Sequence, residues 1–220
     1  MIIDFDLIAQ YLPNFIHGAL VTLQIASLGC FIGISLGTLL GLLQARANKA
    51  IRVLIAIYAT LLRGTPMLIQ IAFIVFVLPQ IGIRISDFWG ATLAIGLNSS
   101  AYVSQIIRSG IASINKGQIE AAHVLGLSTM QTIRFIILPQ AIRVVLPSLG
   151  NEFITLVKDS SLASTVGVME LTREASYMRS RTFDALTAYF AVAVIYLIIT
   201  SILSLLVAYL EKRMNRHVKA

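Results

Sequence analysis

The sequence predicts an all-α integral membrane protein with five crossings. Three observations lead there. Of 220 residues, 57% are hydrophobic and only 12% charged, where a soluble domain carries about 25% charge. The apolar residues fall in long runs rather than in alternation. The basic residues gather at the ends of those runs, where membrane topology places them. That placement also argues against nucleic acid as the reason for the net charge of +7.

The runs cover about 18–43, 53–79, 88–108, 144–166 and 185–210, with a polar segment at about 116–138 between the third and fourth. Each is near or above the roughly 20 residues that cross a bilayer. The start, "MIIDFDLIAQYLPNF", has two Asp and no basic residue before the first run. It is read as part of the mature chain, because a signal peptide needs a positive leading region. An odd number of crossings puts the termini on opposite sides. Arg46, Lys49 and Arg52, then Arg108, Lys116, Arg134 and Arg143, then Lys212, Arg213, Arg216 and Lys219 share one side. The other side holds Arg84, Arg173, Arg179 and Arg181 with Asp4, Asp6, Asp87, Glu170, Glu174 and Asp184. The basic side is cytoplasmic. The N-terminus is therefore expected outside and the C-terminus inside.

In the first run, Gly29, Gly33, Gly37 and Gly41 recur every four residues. On a helix they form a smooth ridge for close backbone approach, either to another subunit or within this one. Cys30 in the same run has no partner for an internal disulfide. The second run is interrupted by "RGTP", Arg63–Pro66. Pro removes a backbone donor and disfavours helix before it, so the helix should kink or break. Such a break lines a path, or Arg63 is a packing residue near the surface. In the third run, Asn98, Ser99, Tyr102 and Gln105 fall near one face, for a partner helix or a wet cavity. In the fourth, Ser148, Glu152, Thr155 and Asp159 make one stripe, bordered by Asn151 and Lys158. Charge at membrane depth is costly. The stripe faces a hydrated central space that receives a cationic group, or its acids form internal ion pairs.

The polar segment reads as two short helices. "KGQIEAAHVLG" is Ala-rich, with Glu120 in its first turn and Gly126 at its end. Ser128 with Gln131 matches a capping box, and Pro139 limits the second helix near Ile137. The segment is a docking surface or an amphipathic connector on the membrane.

Glu120, Ala121, Ala122, Gly126, Ile136, Leu138 and Pro139 satisfy E-A-A-x3-G-x9-I-x-L-P in full. The segment closely resembles the EAA loop of permease subunits of bacterial ATP-binding-cassette importers. "RGTP", "NSSAY" at 98–102, "GNEFITLVKDSSL" at 150–162 and "ELTR" at 170–173 resemble the polar amino-acid branch, for substrates such as histidine, glutamine, glutamate, arginine or cystine. The resemblance implies the type I importer permease fold in the bacterial inner membrane. It implies a dimer with an identical or paralogous permease, two cytoplasmic ATPases and an external solute-binding protein. It makes Glu120, Ala121, Ala122, Gly126 and Leu127 the ATPase-coupling residues. Asp159 or Glu152 would then meet the substrate's ammonium, with Asn98, Ser99, Thr155, Ser160 and Arg63 along the path. The binding protein would dock near 80–88 and 167–184.

No G-x-x-x-x-G-K-[ST] string occurs, so this chain has no phosphate cradle. No cofactor is expected on it, and ATP and Mg belong to the partner. A metal site would need clustered His and Cys. His17, His123 and His217 lie far apart, which also argues against an intramembrane enzyme. The rival is an ion-gradient carrier using Glu152 and Asp159; such carriers usually show internal repeats, and none is seen.

Overall fold

The computed structural model describes residues 3–215. Arg216, His217 and Lys219 lie outside them. Among the described residues the chain is helical, with no strand. α1 runs Phe5–Arg46, α2 Lys49–Gly64, α3 Met67–Ala72, α4 Asp87–Ala112, α5 Lys116–Val124, α6 Thr129–Thr132, α7 Leu138–Asp159, α8 Leu171–Thr182 and α9 Ala185–Asn215. A π-helical turn, Phe73–Val77, and a 3-10 turn, Leu78–Ile81, extend α3.

α4 is the centre. It packs along α1 and also touches α2, α3 and α7. The glycine ridge of α1 is what admits it. A Cβ on Gly33 would stand 2.6 Å from Ser99 Oγ, and one on Gly37 2.6 Å from Val103 Cβ. Gly96 of α4 returns the fit against Ile32. Of the two uses open to this ridge, it serves packing within the chain.

The second apolar run is not one straight helix. α2 and the α3 segment meet at 103° across Thr65 and Pro66. α1, the helix Thr129–Val166 and α9 are each long and apolar enough to cross a membrane, and the bent pair passes together. α4 has 26 residues, which at 1.5 Å each also spans the roughly 30 Å hydrocarbon layer. Successive long elements run in opposite directions, which gathers the α1–α2 turn, the end of α4, α5, the start of α6 and the end of α9 at a basic end. α8 lies at the other, acidic end.

One expectation is corrected. Pro139 does not stop the helix begun at Ser128. A continuous helical element of 38 residues runs Thr129–Val166. The proline ring would clash with the carbonyl four residues back. The chain widens there into a π turn, Ile133–Ile137, in which Leu138 N–H donates to Ile133 O. Gln140 Nε2 donates to Ile136 O at 2.8 Å. The fourth apolar run is thus the far part of a helix that starts inside the polar segment.

Candidate coupling segment and translocation face

α5 projects from the basic end. Asn115 caps it, accepting from Gly117 N–H at 2.8 Å. Glu120 is therefore in the second turn, exposed, and not in the first turn as the sequence implied. The helix begins earlier because Asn115 supplies the cap. Leu127 N–H donates to Ala122 O and Gly126 N–H to His123 O, both at 3.0 Å. With Gly126 at φ +76, this is a Schellman ending, and it needs a residue without Cβ strain. Ser128 and Gln131 form the reciprocal capping box. Ala122 is buried against the bundle, Ala121 is exposed, and Leu127 is half-buried. Val124 and Leu125 stand 87% and 79% exposed at the tip. Large apolar side chains so exposed on a polar segment mark a contact surface. Gln140 Nε2 also bonds Gln118 Oε1, tying α5 to the long helix.

The break at Thr65–Pro66 is stitched by two amides. Gln70 Nε2 donates to Leu62 O at 2.7 Å and Thr65 O at 3.0 Å. Asn98 Nδ2 donates to Leu62 O at 2.8 Å and to Gln70 Oε1 at 3.0 Å. Carbonyls freed by the break are thereby satisfied, as backbone at membrane depth requires. Arg63 is exposed, with its guanidinium 5.1 Å from the centre of the Tyr102 ring. Tyr58 Oη shares a hydrogen bond with Ser100 Oγ at 2.7 Å. The polar face of α4 is thus divided: Asn98, Ser99 and Ser100 join helices, while Gln105 lines an open cleft.

Ser99 is buried, and its hydroxyl donates to Glu152 Oε1 at 2.8 Å. Ser148, Glu152 and Asp159 are half-buried and Thr155 is exposed, all on one face of α7. Lys158 points elsewhere, into a pocket with Thr172, Tyr189 and Tyr196. Ser160 lies apart from the stripe, fully buried, its hydroxyl returned to Val157 O. The stripe is only half covered by the rest of the chain, with Thr155 its exposed member. No group of three His, Cys, Asp or Glu among the described residues could hold a metal ion.

At the acidic end, Glu170 is fully buried. It caps α8 by accepting from Arg173 N–H at 2.8 Å and Thr172 N–H at 2.9 Å. Tyr196 Oη donates to it at 2.9 Å and Thr22 Oγ1 at 3.4 Å. Burial raises its pKa from the ordinary value, against the lowering effect of these bonds. Glu174 sits beside Gly18, 3% exposed, with one carboxyl oxygen unpartnered. Burial raises its pKa too. Sequence reasoning gave neither glutamate a role, nor Gln70. The one available signal for Gln70 was a lone amide in an apolar run just past Pro66.

Residues 33–216 match the family described as binding-protein-dependent transport system inner membrane component. The chain belongs to this family. It is therefore a transporter subunit and not an enzyme, and family membership leaves the ion-gradient carrier without support. The permease is 41% identical over 214 residues to the glutamine transport system permease protein GlnP of Escherichia coli (strain K12), covering 96% of this chain and 98% of that one. It is 37% identical over 218 residues to the L-cystine transport system permease protein TcyB of Bacillus subtilis (strain 168), covering 98% and 93%. A solved chain described as the crystal structure of an amino acid ABC transporter with histidines superposes at a TM-score of 0.92, with 38% identity, covering 97% of the permease and 100% of that chain. The permease thus has the all-α importer fold that its sequence predicts.

Proposed function

We propose that this permease is the membrane subunit of an ATP-driven importer for polar amino acids. The relatives named for glutamine and cystine support that substrate class. The observation that carries the coupling role is α5. It presents Glu120, Ala121, Val124 and Leu125 outward at the basic end while Ala122 is buried, the Schellman turn at Gly126 and Leu127 closes the helix, and Gln118 ties it to Gln140 of the long helix. A cytoplasmic ATPase receives this tip, hydrolyses ATP with Mg, and moves the long helix Thr129–Val166 through it. The basic end faces the cytoplasm, with the N-terminus outside, in agreement with the placement of Lys and Arg. Five crossings result when α4 and the bent pair are each counted once.

The permease works as a dimer with a second copy or a paralogue. The half-covered stripe of α7 supports this, since carboxylates do not face lipid. Asp159 and Glu152 receive the substrate's ammonium, and Thr155 offers a hydroxyl beside them. Ser99 acts through Glu152, while Asn98 and Ser160 shape the path from behind. Arg63 lies at its edge. A solute-binding protein delivers substrate to the acidic end, near 80–88 and 167–184.

Proteoliposomes holding the permease, its ATPase and its binding protein should take up amino acid only with ATP. Glu120→Ala should reduce ATPase association and uptake together. Uptake by the permease alone, driven by a proton gradient, would overturn the proposal.

A further inference from the structure

Among the described residues, Phe183 is the one non-glycine residue with a positive φ, +56. The other positions with positive φ are glycines: Gly82, Gly126 and Gly167. A bulky residue is disfavoured in this region, because its Cβ crowds the neighbouring carbonyl. No packing within the chain offsets that strain, since Phe183 is 90% exposed. Its backbone is nonetheless held on both sides. Phe183 N–H donates to Arg179 O at 2.9 Å, and Asp184 N–H donates to Thr182 Oγ1 at 3.2 Å. The turn between α8 and α9 thus presents an aromatic ring at a fixed place, in a strained conformation that a glycine would adopt freely.

The bilayer does not cover this ring. α9 has no charged residue before Glu211. At about 1.5 Å per residue, Phe183 stands about 42 Å from Glu211. The hydrocarbon layer takes roughly 30 Å of this and the outer headgroups roughly 5–8 Å more. Tyr189 and Phe190 fall at the depth of an interfacial aromatic belt, and Phe183 lies beyond it. α8 has no apolar face to lay on lipid either, because Leu171, Ala175 and Met178 are fully buried in the bundle. Charge shows what suits the surface instead. The sequence counts six acids against four arginines at this end, yet four of the acids are engaged inside the fold. Glu170 and Glu174 are buried. Asp4 accepts from Leu7 N–H at 2.9 Å, and Asp184 from Thr187 N–H at 3.0 Å, each at the start of its helix. The outward side of α8 carries Arg173, Tyr177 and Arg181 at four-residue steps, and no exposed acid. The Arg181 guanidinium stands 5.2 Å from the centre of the Tyr177 ring, and that of Arg179 5.9 Å from the Tyr189 ring. These rings orient the guanidiniums beside Phe183.

We propose that Phe183 is the anchor on which the importer's solute-binding protein docks, entering an apolar hollow whose rim carries carboxylates for Arg173, Arg179 and Arg181. The family is described as binding-protein-dependent, and the proposal rests on the reading that such a protein delivers substrate to this end. Buried aromatic and arginine anchors carry most of the energy of an interface. A ring fixed in advance loses little freedom on docking. The arginines steer an acidic partner onto the ring, which makes docking sensitive to salt.

The probe is the solute-binding protein that supports uptake in the proteoliposome assay, titrated onto the permease–ATPase complex in nanodiscs. Phe183→Gly should weaken docking about ten-fold or more. It should also raise the melting temperature of the complex, because glycine takes a positive φ without strain. These opposite signs separate an anchor from a structural residue. Arg179→Gln with Arg181→Gln should weaken docking and flatten its dependence on ionic strength. Unchanged affinity in Phe183→Gly would overturn the proposal, as would a loss of affinity matched by a fall in melting temperature. Salt dependence that survives the arginine pair would overturn it equally. Native mass spectra of the same complex count its permease copies; if Phe183→Gly separates them, the ring is a contact between copies and the proposal fails. A binding protein that docks equally on every variant leaves the importer reading intact. Failure of any binding protein to support uptake overturns that reading itself.

Discussion

Ser99 on α4 donates a 2.8 Å hydrogen bond to Glu152 on α7, and Gly33 on α1 is the residue whose missing Cβ leaves room for that serine. Three helices therefore meet on one carboxylate. Ser99→Ala should cost about 1 kcal/mol of stability and lower uptake by freeing Glu152. Gly33→Ala should cost more, because its new methyl would stand 2.6 Å from Ser99 Oγ. Thermal unfolding of the purified complex, set beside uptake in proteoliposomes, checks both.

Gln70 and Asn98 share the Leu62 carbonyl. Gln70→Leu and Asn98→Leu should each destabilise by about 1–3 kcal/mol, the cost of stranding buried polar groups. The double variant should lose less than the sum, because the sites are coupled. A double-mutant cycle on unfolding gives the result; strict additivity would dissolve the link between the bend and α4.

Gly126 sits at φ +76 with open space where a Cβ would go. Gly126→Ala should therefore act through backbone strain alone, at about 1–2 kcal/mol. It should reduce uptake per ATP hydrolysed more than it reduces global stability. Simultaneous measurement of phosphate release and uptake decides this.

Glu174 has its pKa raised by burial above the ordinary 4.5. Below that value the carboxyl is protonated folded or unfolded, and its burial is least costly. As pH rises, the unfolded chain ionises first, so stability falls until the folded pKa is passed. Glu174→Gln should flatten this fall. The melting temperature of both proteins across the range from pH 4.5 upward tests the sign; a melting temperature that rises with pH only in the unsubstituted permease would contradict it.

What was legible in the sequence was local. The break at Pro66 follows from a missing donor, the capping box from two residues three apart, and the glycine ridge from a four-residue repeat. What was illegible depended on distant partners or on an alternative helical geometry. Pro139 reads as a stop, and only the π turn before it shows how the helix continues. Glu170 reads as a polar loop residue until Thr22 and Tyr196, 148 and 26 residues away, close over it. In the candidate path, spacing alone put Ser148, Glu152, Thr155 and Asp159 on one face, but it could not show that Ser99 anchors Glu152.

The π turn at Ile133–Ile137 also sets an angular phase. Each helical residue rotates the chain by about 100°. Deleting one residue there would swing the whole stripe of α7 by about that angle while leaving the segment before Thr129 in place. Glu152 would turn from Ser99, and both carboxylates would leave their present bearing. The orientation of the acids is thus indexed from Ile133–Ile137, so the stripe and α5 can be reset against each other by a single insertion or deletion there.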